Sequence, residues 1–448
     1  MSWIIKLETT WLNPVVWEVE RVAIAHKIWG DNMSLLWANA EVTKILAENW
    51  VTQAFAISAF RSSQENFNTT SHLIQAGESR NQASISETLS IIWDFHQRLL
   101  NDILSWESTE LQNKLLRYIE ELFQEYQNTL EWSNLNTCST LNDYKLWVWE
   151  KVFSLVSIGE VIAAKVFARY LQLKGLPAKY IDIENIKTIK RDRLSQQVEQ
   201  EIQRRLTDIM KWQTQYIPVF PWYIWGIEWG ILGSLGRWYT DYTASRIAVA
   251  LHDMQLYDKV WLYIQKMYGF KSTDPRIFTW TDNSTSVNTI SYWLARRAIS
   301  HRWAGAGLVN SHSIDERIIS RNIPIIVWNP TVTSDKAIIH QNWWLWDWVQ
   351  LVLWRAYTEH DQWVYGRRNP DIQENHIIYL MWENLWNLRV IFDVSCDILK
   401  QAWIIYIAWE MKWNPLGELS FVFKTKDDAH RAQRLLHSHF IEQRNTVL

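Results

Sequence analysis

The sequence predicts an α/β chain: a three-layer αβα body on a mostly parallel sheet, followed by a smaller α+β unit. Three observations lead there. Short apolar runs alternate with stretches of helical spacing over roughly 330 residues, the rhythm of parallel strands joined by helical crossovers. Near residue 376 the rhythm changes to strand, helix, strand, strand, helix. At 448 residues the chain has room for two or three domains and a large buried core.

Taken in order, residues 3–7 (Trp-Ile-Ile-Lys-Leu) and 35–38 read as short strands, with a helical stretch holding Val19, Val22 and Ala23 between them. A long helical insert follows at about 85–132. Thr109 and Gln112 make a capping box there, and Leu111, Leu115, Tyr118 and Leu122 recur on one face, as in a helical pair packed on the domain. The alternation resumes with a helix from Glu160, a strand over 178–183, and a charged helix with Leu194, Val198, Ile202, Leu206 and Ile209 on one face. Residues 216–220 and 323–327 are further strands, and 329–335 reads as a linker. In the tail, strands at 377–380, 404–407 and 419–423 and helices at 385–401 and 426–440 give most of a ferredoxin-like split βαβ unit. The expected division is a body over 1–330, a linker or degenerate segment over 331–375, and a tail domain over 376–448.

Composition excludes several classes. With 45 basic and 48 acidic residues and no long run of like charge, nothing suggests a nucleic-acid partner. Cys138 and Cys396 are too few and too far apart for a disulfide framework and fit a reducing compartment. The first residues carry too short an apolar stretch for a secretory signal. The aromatic run Trp343 to Trp354 is too short to span a bilayer and contains Asp347, so a cytoplasmic protein without a membrane contact is expected. His437 and His439 stand two apart on a helix and read as surface residues rather than metal ligands. One feature is abnormal: 32 Trp against 13 Gly, so glycine is about 3% where roughly 7% is usual.

The residues richest in chemistry lie in three segments. Gly236-Arg237-Trp238-Tyr239-Thr240-Asp241 opens a stretch of small residues, Gly269-Phe-Lys-Ser-Thr-Asp-Pro-Arg276 follows it, and Ser157-Ile-Gly-Glu160 precedes both. They resemble the aspartokinase family of amino-acid kinases, with its G-R-G-[GY]-[ST]-D signature, its G-[VF]-x-[ST]-x-D-P-[RK] nucleotide loop and its S-x-G-E. Lys6, followed by Thr9-Thr10, sits where that family has K-[FI]-G-G-T-[ST], and Glu41-Val-Thr43 falls near its G-[VI]-T. The tail is similar to an ACT domain.

The resemblance implies an amino-acid-kinase fold with a C-terminal ACT domain. It implies an ATP-dependent kinase that phosphorylates the side-chain carboxylate of L-aspartate with Mg²⁺ present, the first step toward lysine, threonine and methionine. Lys6 would neutralise the moving phosphoryl group and Asp241 would organise that end of the site. Arg237 would clamp the α-carboxylate of aspartate, Glu160 its α-ammonium group, and Thr43 would donate a hydroxyl hydrogen bond. Thr240, Lys271 and Arg276 would bind ATP. An amino-acid effector at the tail and a homo-oligomer are also implied; the alternative is an effector-binding protein of the same fold with impaired catalysis.

Tryptophan recurs where glycine is wanted. Trp222, Trp225, Trp229 and Trp238 stand where the family has glycine, and Trp382, Trp386, Trp403 and Trp413 lie at or near turn-like positions. Glycine there would supply positive φ or close approach, which an indole side chain cannot.

Overall fold

A computed structural model describes residues 20–28, 30–62, 67–73, 82–105, 107–131, 158–182, 194–211, 216–221, 239–266, 287–300, 309–329, 332–341, 351–356, 376–382, 388–406, 408–412 and 417–442. The chain divides into two compact units, Met1–Gln265 and Lys266–Leu448.

In the first unit the strands are β1 (Val22–Ile28), β2 (Thr52–Ile57), the short pair β3 (Arg61–Ser62) and β4 (Phe67–Asn68), β5 (Ala178–Tyr180), β6 (Ile217–Pro221) and β7 (Lys259–Gln265). Five of them form a parallel run in the order β5-β6-β2-β1-β7. The helices are α1 (Leu36–Glu48), α2 (Gln82–Leu104), α3 (Thr109–Glu131), α4 over residues 158–173, α5 (Leu194–Lys211) and α6 (Tyr239–Asp253). Every residue of β1 is buried, as expected of a central parallel strand covered on both faces, which shows no period-two alternation. That lack of alternation explains a correction: Val22 and Ala23, expected on a helix, begin the central strand, while residues 36–38, expected as a strand, open α1. Residues 3–7 lie outside the described residues.

The helical pair α2–α3 is closed differently from the sequence expectation. Ser108, not Thr109, caps α3, its hydroxyl accepting from the Leu111 N–H at 3.3 Å. Gln112 turns back and donates to the carbonyls of Leu104 and Glu107 at 2.6 and 3.1 Å, tying off the chain between the helices. Glu107 in turn accepts from Tyr170 (2.6 Å) and Lys174 (2.7 Å), which anchors this turn to the C-terminal end of α4.

In the second unit, β8 (Thr289–Ser291) pairs in parallel with β10 (Val332–His340), which pairs antiparallel with β9 (Ile325–Asn329). Helices α7 (Tyr292–Ser300) and α8 (Glu316–Ser320) accompany them, α8 capped by Asp315, whose carboxylate accepts from the Arg317 and Ile318 N–H groups. Val332 already pairs with Asn329, so much of the stretch expected as a linker is strand. The tail holds β11 (Leu351–Ala356), β12 (His376–Trp382), α9 (Leu388–Gln401), β13 (Ala408–Lys412), β14 (Gly417–Phe423) and α10 (Lys426–His437). Its antiparallel sheet runs β11-β12-β14-β13, with the expected β-α-β-β-α order and an upstream strand added at one edge.

Three details of the tail differ from expectation. The strand expected at 404–407 starts at Ala408, because Ile404 instead turns its side chain into the core beside Phe421 and Leu436. Trp382 lies buried in β12 rather than in a turn, and its indole N–H finds no acceptor among the described residues. His437, expected at the surface, is buried at the end of α10. Among the described residues no helix is long and apolar enough to cross a membrane.

Two buried histidines in the first unit make stability sensitive to acid. His26 stacks on Phe55, with ring centroids 4.5 Å apart, and burial pushes its pKa down from 6.5 to about 3. His96 lies among Phe60, Phe95 and Phe123; its Nδ1–H donates to the Ile92 carbonyl, and burial pushes its pKa down to about 4. Below pH 6.5 the unfolded chain binds protons that the folded protein refuses. Stability therefore falls with decreasing pH, by about 1.4 kcal/mol per pH unit for each histidine, until the folded-state values near 4 and 3 are reached. We expect thermal melts between pH 6.5 and 4 to show a shallower fall of Tm in a His26→Phe/His96→Phe variant than in the parent; equal slopes would mean that both rings are protonated in the fold.

Candidate active site

The site forms where the parallel strands end. Lys27 is the penultimate residue of β1, paired with Ala56 of β2 and Ile264 of β7. Its Nζ lies 3.2 Å from Oδ1 of Asp241, in the first turn of α6, and the side chains are only 2% and 0% exposed. Helix α6 packs across β1, β2 and β7; Thr243, Ala244, Ser245, Ala248 and Ala250 are buried small residues that keep its bulk down. The N-terminus of a helix carries partial positive charge and repels a cation, so Asp241 is what makes a buried lysine tolerable at that place. The same helix end, with a lysine beside it, suits a phosphate or carboxylate ligand.

A second wall comes from the chain after β2. Ser58 continues the β1–β2 pairing, donating its N–H to the Ile28 carbonyl, and its hydroxyl donates to that of Thr240 at 3.0 Å. Gly30, just after β1, runs so close that a Cβ would collide with the Ala59 carbonyl oxygen. Asp31 and Arg61 pair at 3.4 Å across the same gap. Asn68 caps a helical turn at 69–73 by accepting from the Ser71 N–H, and Thr69 donates to the Phe60 carbonyl at 2.8 Å. A Cβ on Gly159 would lie 2.7 Å from Thr69 Cγ2 and 3.3 Å from Ala59 Cβ, so this glycine allows the start of α4, with buried Glu160, to lie against the loop. Beneath it, Phe67 stacks on Phe95 of α2 at 3.9 Å and Phe60 meets His96 edge-on at 4.9 Å. The helical insert therefore supports the loop beside the site.

Of the residues singled out in the sequence, the fold brings Thr240 and Asp241 to the strand ends and sets Glu160 against the adjoining loop. Thr43 is elsewhere: it lies two turns along α1, its hydroxyl donates to the Asn39 carbonyl at 2.6 Å, and its own carbonyl accepts from Gln53, near the start of β2. Lys6, Arg237, Lys271 and Arg276 lie outside the described residues. The residues that sequence reasoning missed are Lys27, Gly30, Ser58 and Thr69. A signal for the first two was present, because Lys27-Ile28-Trp29-Gly30 follows the apolar run Val22-Ala-Ile-Ala25 and His26, and fits K-[FI]-G-G with tryptophan at one glycine. Among the described residues no group of three or more His, Cys, Asp or Glu side chains is placed to hold a metal ion.

Residues 109–327 match the model of the amino acid kinase family. That stretch, 219 of 448 residues, is similar to amino acid kinases. Over 297 residues it is 24% identical to the aspartokinase of Candida albicans, covering 64% of this chain and 50% of that protein, so it spans about half the length of the curated relative it matches. The fold is similar to that of Escherichia coli aspartokinase III. The complex with aspartate and ADP (R-state) gives a TM-score of 0.53 at 17% identity, covering 92% of this chain and 80% of that one. The complex with lysine and aspartate (T-state) gives 0.59 at 15% identity, covering 94% and 99%. In the first unit the lysine–aspartate pair and the Gly159 contact stand at the strand ends, where open α/β sheets bind their ligands.

Removing one member of the buried pair should be costly. Lys27→Met leaves a buried carboxylate without its cation, and urea unfolding should show a loss of about 3–5 kcal/mol. In Lys27→Met/Asp241→Leu, with both charges gone, most of that loss should be recovered; a double variant as unstable as the single one would mean that packing, not charge, holds α6 here.

Proposed function

We propose that this chain is an aspartate kinase, transferring the γ-phosphoryl group of ATP to the side-chain carboxylate of L-aspartate to give 4-phospho-L-aspartate and ADP. The observation that carries the reading is the buried Lys27–Asp241 pair at the head of α6, in a fold shared with aspartokinases.

The chemistry requires positioning more than proton transfer. The side-chain carboxylate of aspartate has a pKa of about 3.9, so at neutral pH it is already ionised and needs no general base. One of its oxygens attacks the γ-phosphorus as the bond to the bridging oxygen breaks, and ADP leaves with the electron pair. Lys27 takes the part expected of Lys6: its charge, fixed by Asp241 before substrate arrives, meets the oxygens of the moving phosphoryl group without further reorganisation. Thr240 and the first N–H groups of α6 face the same phosphate end. Arg237, just before α6, clamps the α-carboxylate of aspartate with its planar fork, while Glu160 pairs with the α-ammonium group. Lys271 and Arg276 hold the nucleotide phosphates. Mg²⁺ would arrive with ATP and offset the charge of its phosphates, and Asp241 is the carboxylate that would hold it at that end of the site. The antiparallel tail unit is read as the site of an amino-acid effector, as its β-α-β-β-α order suggests, within a homo-oligomer. The pathway toward lysine, threonine and methionine is the expected setting.

ATP-dependent hydroxamate formation tests this directly. Aspartate should be turned over and glutamate and nucleoside monophosphates should not; turnover of glutamate alone would overturn the assignment. Lys27→Met should lower kcat by about 100-fold or more. Arg237→Lys keeps the charge and loses the bidentate geometry, so it should raise the KM for aspartate while leaving that for ATP nearly unchanged.

A further inference from the structure

Five described residues have positive φ: Trp50 (60°), Gly175 (80°), Gln255 (55°), Asn322 (50°) and Trp403 (56°). Four of them share one hydrogen-bonding pattern at a helix end. After α1, Trp50 N–H donates to the Ala47 carbonyl at 3.0 Å and Val51 N–H to that of Leu46 at 2.9 Å. After α9, Trp403 donates to Lys400 at 3.1 Å and Ile404 to Leu399 at 2.9 Å. After α4, Gly175 donates to Gln172 and Leu176 to Leu171, both at 3.0 Å. After α8, Asn322 donates to Ile319 at 3.0 Å and Ile323 to Ile318 at 3.2 Å. This is the Schellman motif, whose left-handed position is taken by glycine or, less often, by asparagine. Two of the four motifs obey that rule and two carry tryptophan.

The tryptophans gain nothing there to offset the strain. Trp50 is 76% exposed and Trp403 is 90% exposed, so neither indole is packed as a core residue would be. A Cβ at Gly175 would meet nothing within 4 Å, so in the same motif it is the backbone conformation, not space, that calls for glycine. The apolar contacts expected of the motif are made by the following residue: Val51 and Ile404 are buried, packed with Leu46 and with Leu399 respectively. Geometry thus marks both positions as glycine, and composition independently shows glycine scarce and tryptophan in excess, at 13 and 32 residues.

We infer that positions 50 and 403 are glycine in the protein that the cell makes, through a UGA codon decoded as glycine where the written sequence has tryptophan. This stands apart from the aspartate kinase reading, because both positions lie outside the proposed catalytic residues. The same decoding at Trp29 would give the sequence Lys27-Ile28-Gly-Gly30 after β1.

The test is the protein isolated from its native cells, digested and mapped by mass spectrometry across both positions. Glycine at both is the expected result; any other residue at either overturns the inference, as does a UGG codon at either in the gene. A second measurement uses recombinant protein with the written sequence. Trp50→Gly and Trp403→Gly should each raise Tm by about 2–4 °C, and failure of either to rise would show that the left-handed turn does not demand glycine there.

Discussion

A lysine and an aspartate with almost no access to water hold the first unit in register. Two buried charges are expensive to desolvate, and their mutual attraction in a fixed geometry offsets that cost. That requirement places the head of α6 over the end of β1, and the neighbours follow from it: Ser58 meets Thr240, the chain after β2 is drawn across Gly30, and Gly159 lets α4 close on the same loop. The pair also explains why α6 is buried along most of its length. A helix held this close to a parallel sheet has to be built largely of small residues, and Thr243, Ala244, Ser245, Ala248 and Ala250 supply them.

Support for the loop beside the site comes from a part of the chain that carries no evident chemistry. Phe60 and Phe67 rest on Phe95 and His96 of α2, and the turn between α2 and α3 is fastened to α4 through Glu107, Tyr170 and Lys174. Burial raises the Tyr170 phenol pKa, the accepting Glu107 raises it further, and the proton remains available for this bond. Helical insert, loop and α4 therefore form one packed wall. In the second unit a comparable fastening joins α7 to the tail sheet, where Arg297 donates through two nitrogens to Glu418 of β14 at 2.6 and 3.1 Å, with Glu418 almost wholly buried. A planar fork meeting a buried carboxylate fixes orientation as well as distance.

Much of this architecture was legible in the sequence. Helices with a one-sided apolar face, such as α5 with Val198, Ile202 and Leu206 and α3 with Leu115 and Leu122, announce themselves because only one stripe is buried. The tail order was readable because its strands are short apolar runs separated by a strongly amphipathic helix. Thr240 and Asp241 were legible because a Thr-Asp pair opening a stretch of small residues is a local pattern, as is the run Ser157-Ile-Gly-Glu160.

What the sequence could not decide was whatever depends on burial from both sides or on partners distant in the chain. β1 has no alternation because both of its faces are covered, so periodicity gave no warning that Val22–Ile28 is the central strand or that Lys27 is the lysine at its end. Thr43 and Thr69 look alike as letters, but α1 carries the first back toward the start of β2, while the loop after β2 brings the second against Gly159. His437 looked like a surface residue from its neighbours, and packing buried it. Composition by itself determined that glycine was missing; only the backbone, turning left-handed at Trp50 and Trp403, decided at which positions its absence is felt, because φ is set by the hydrogen bonds that end a helix and not by the residue written there.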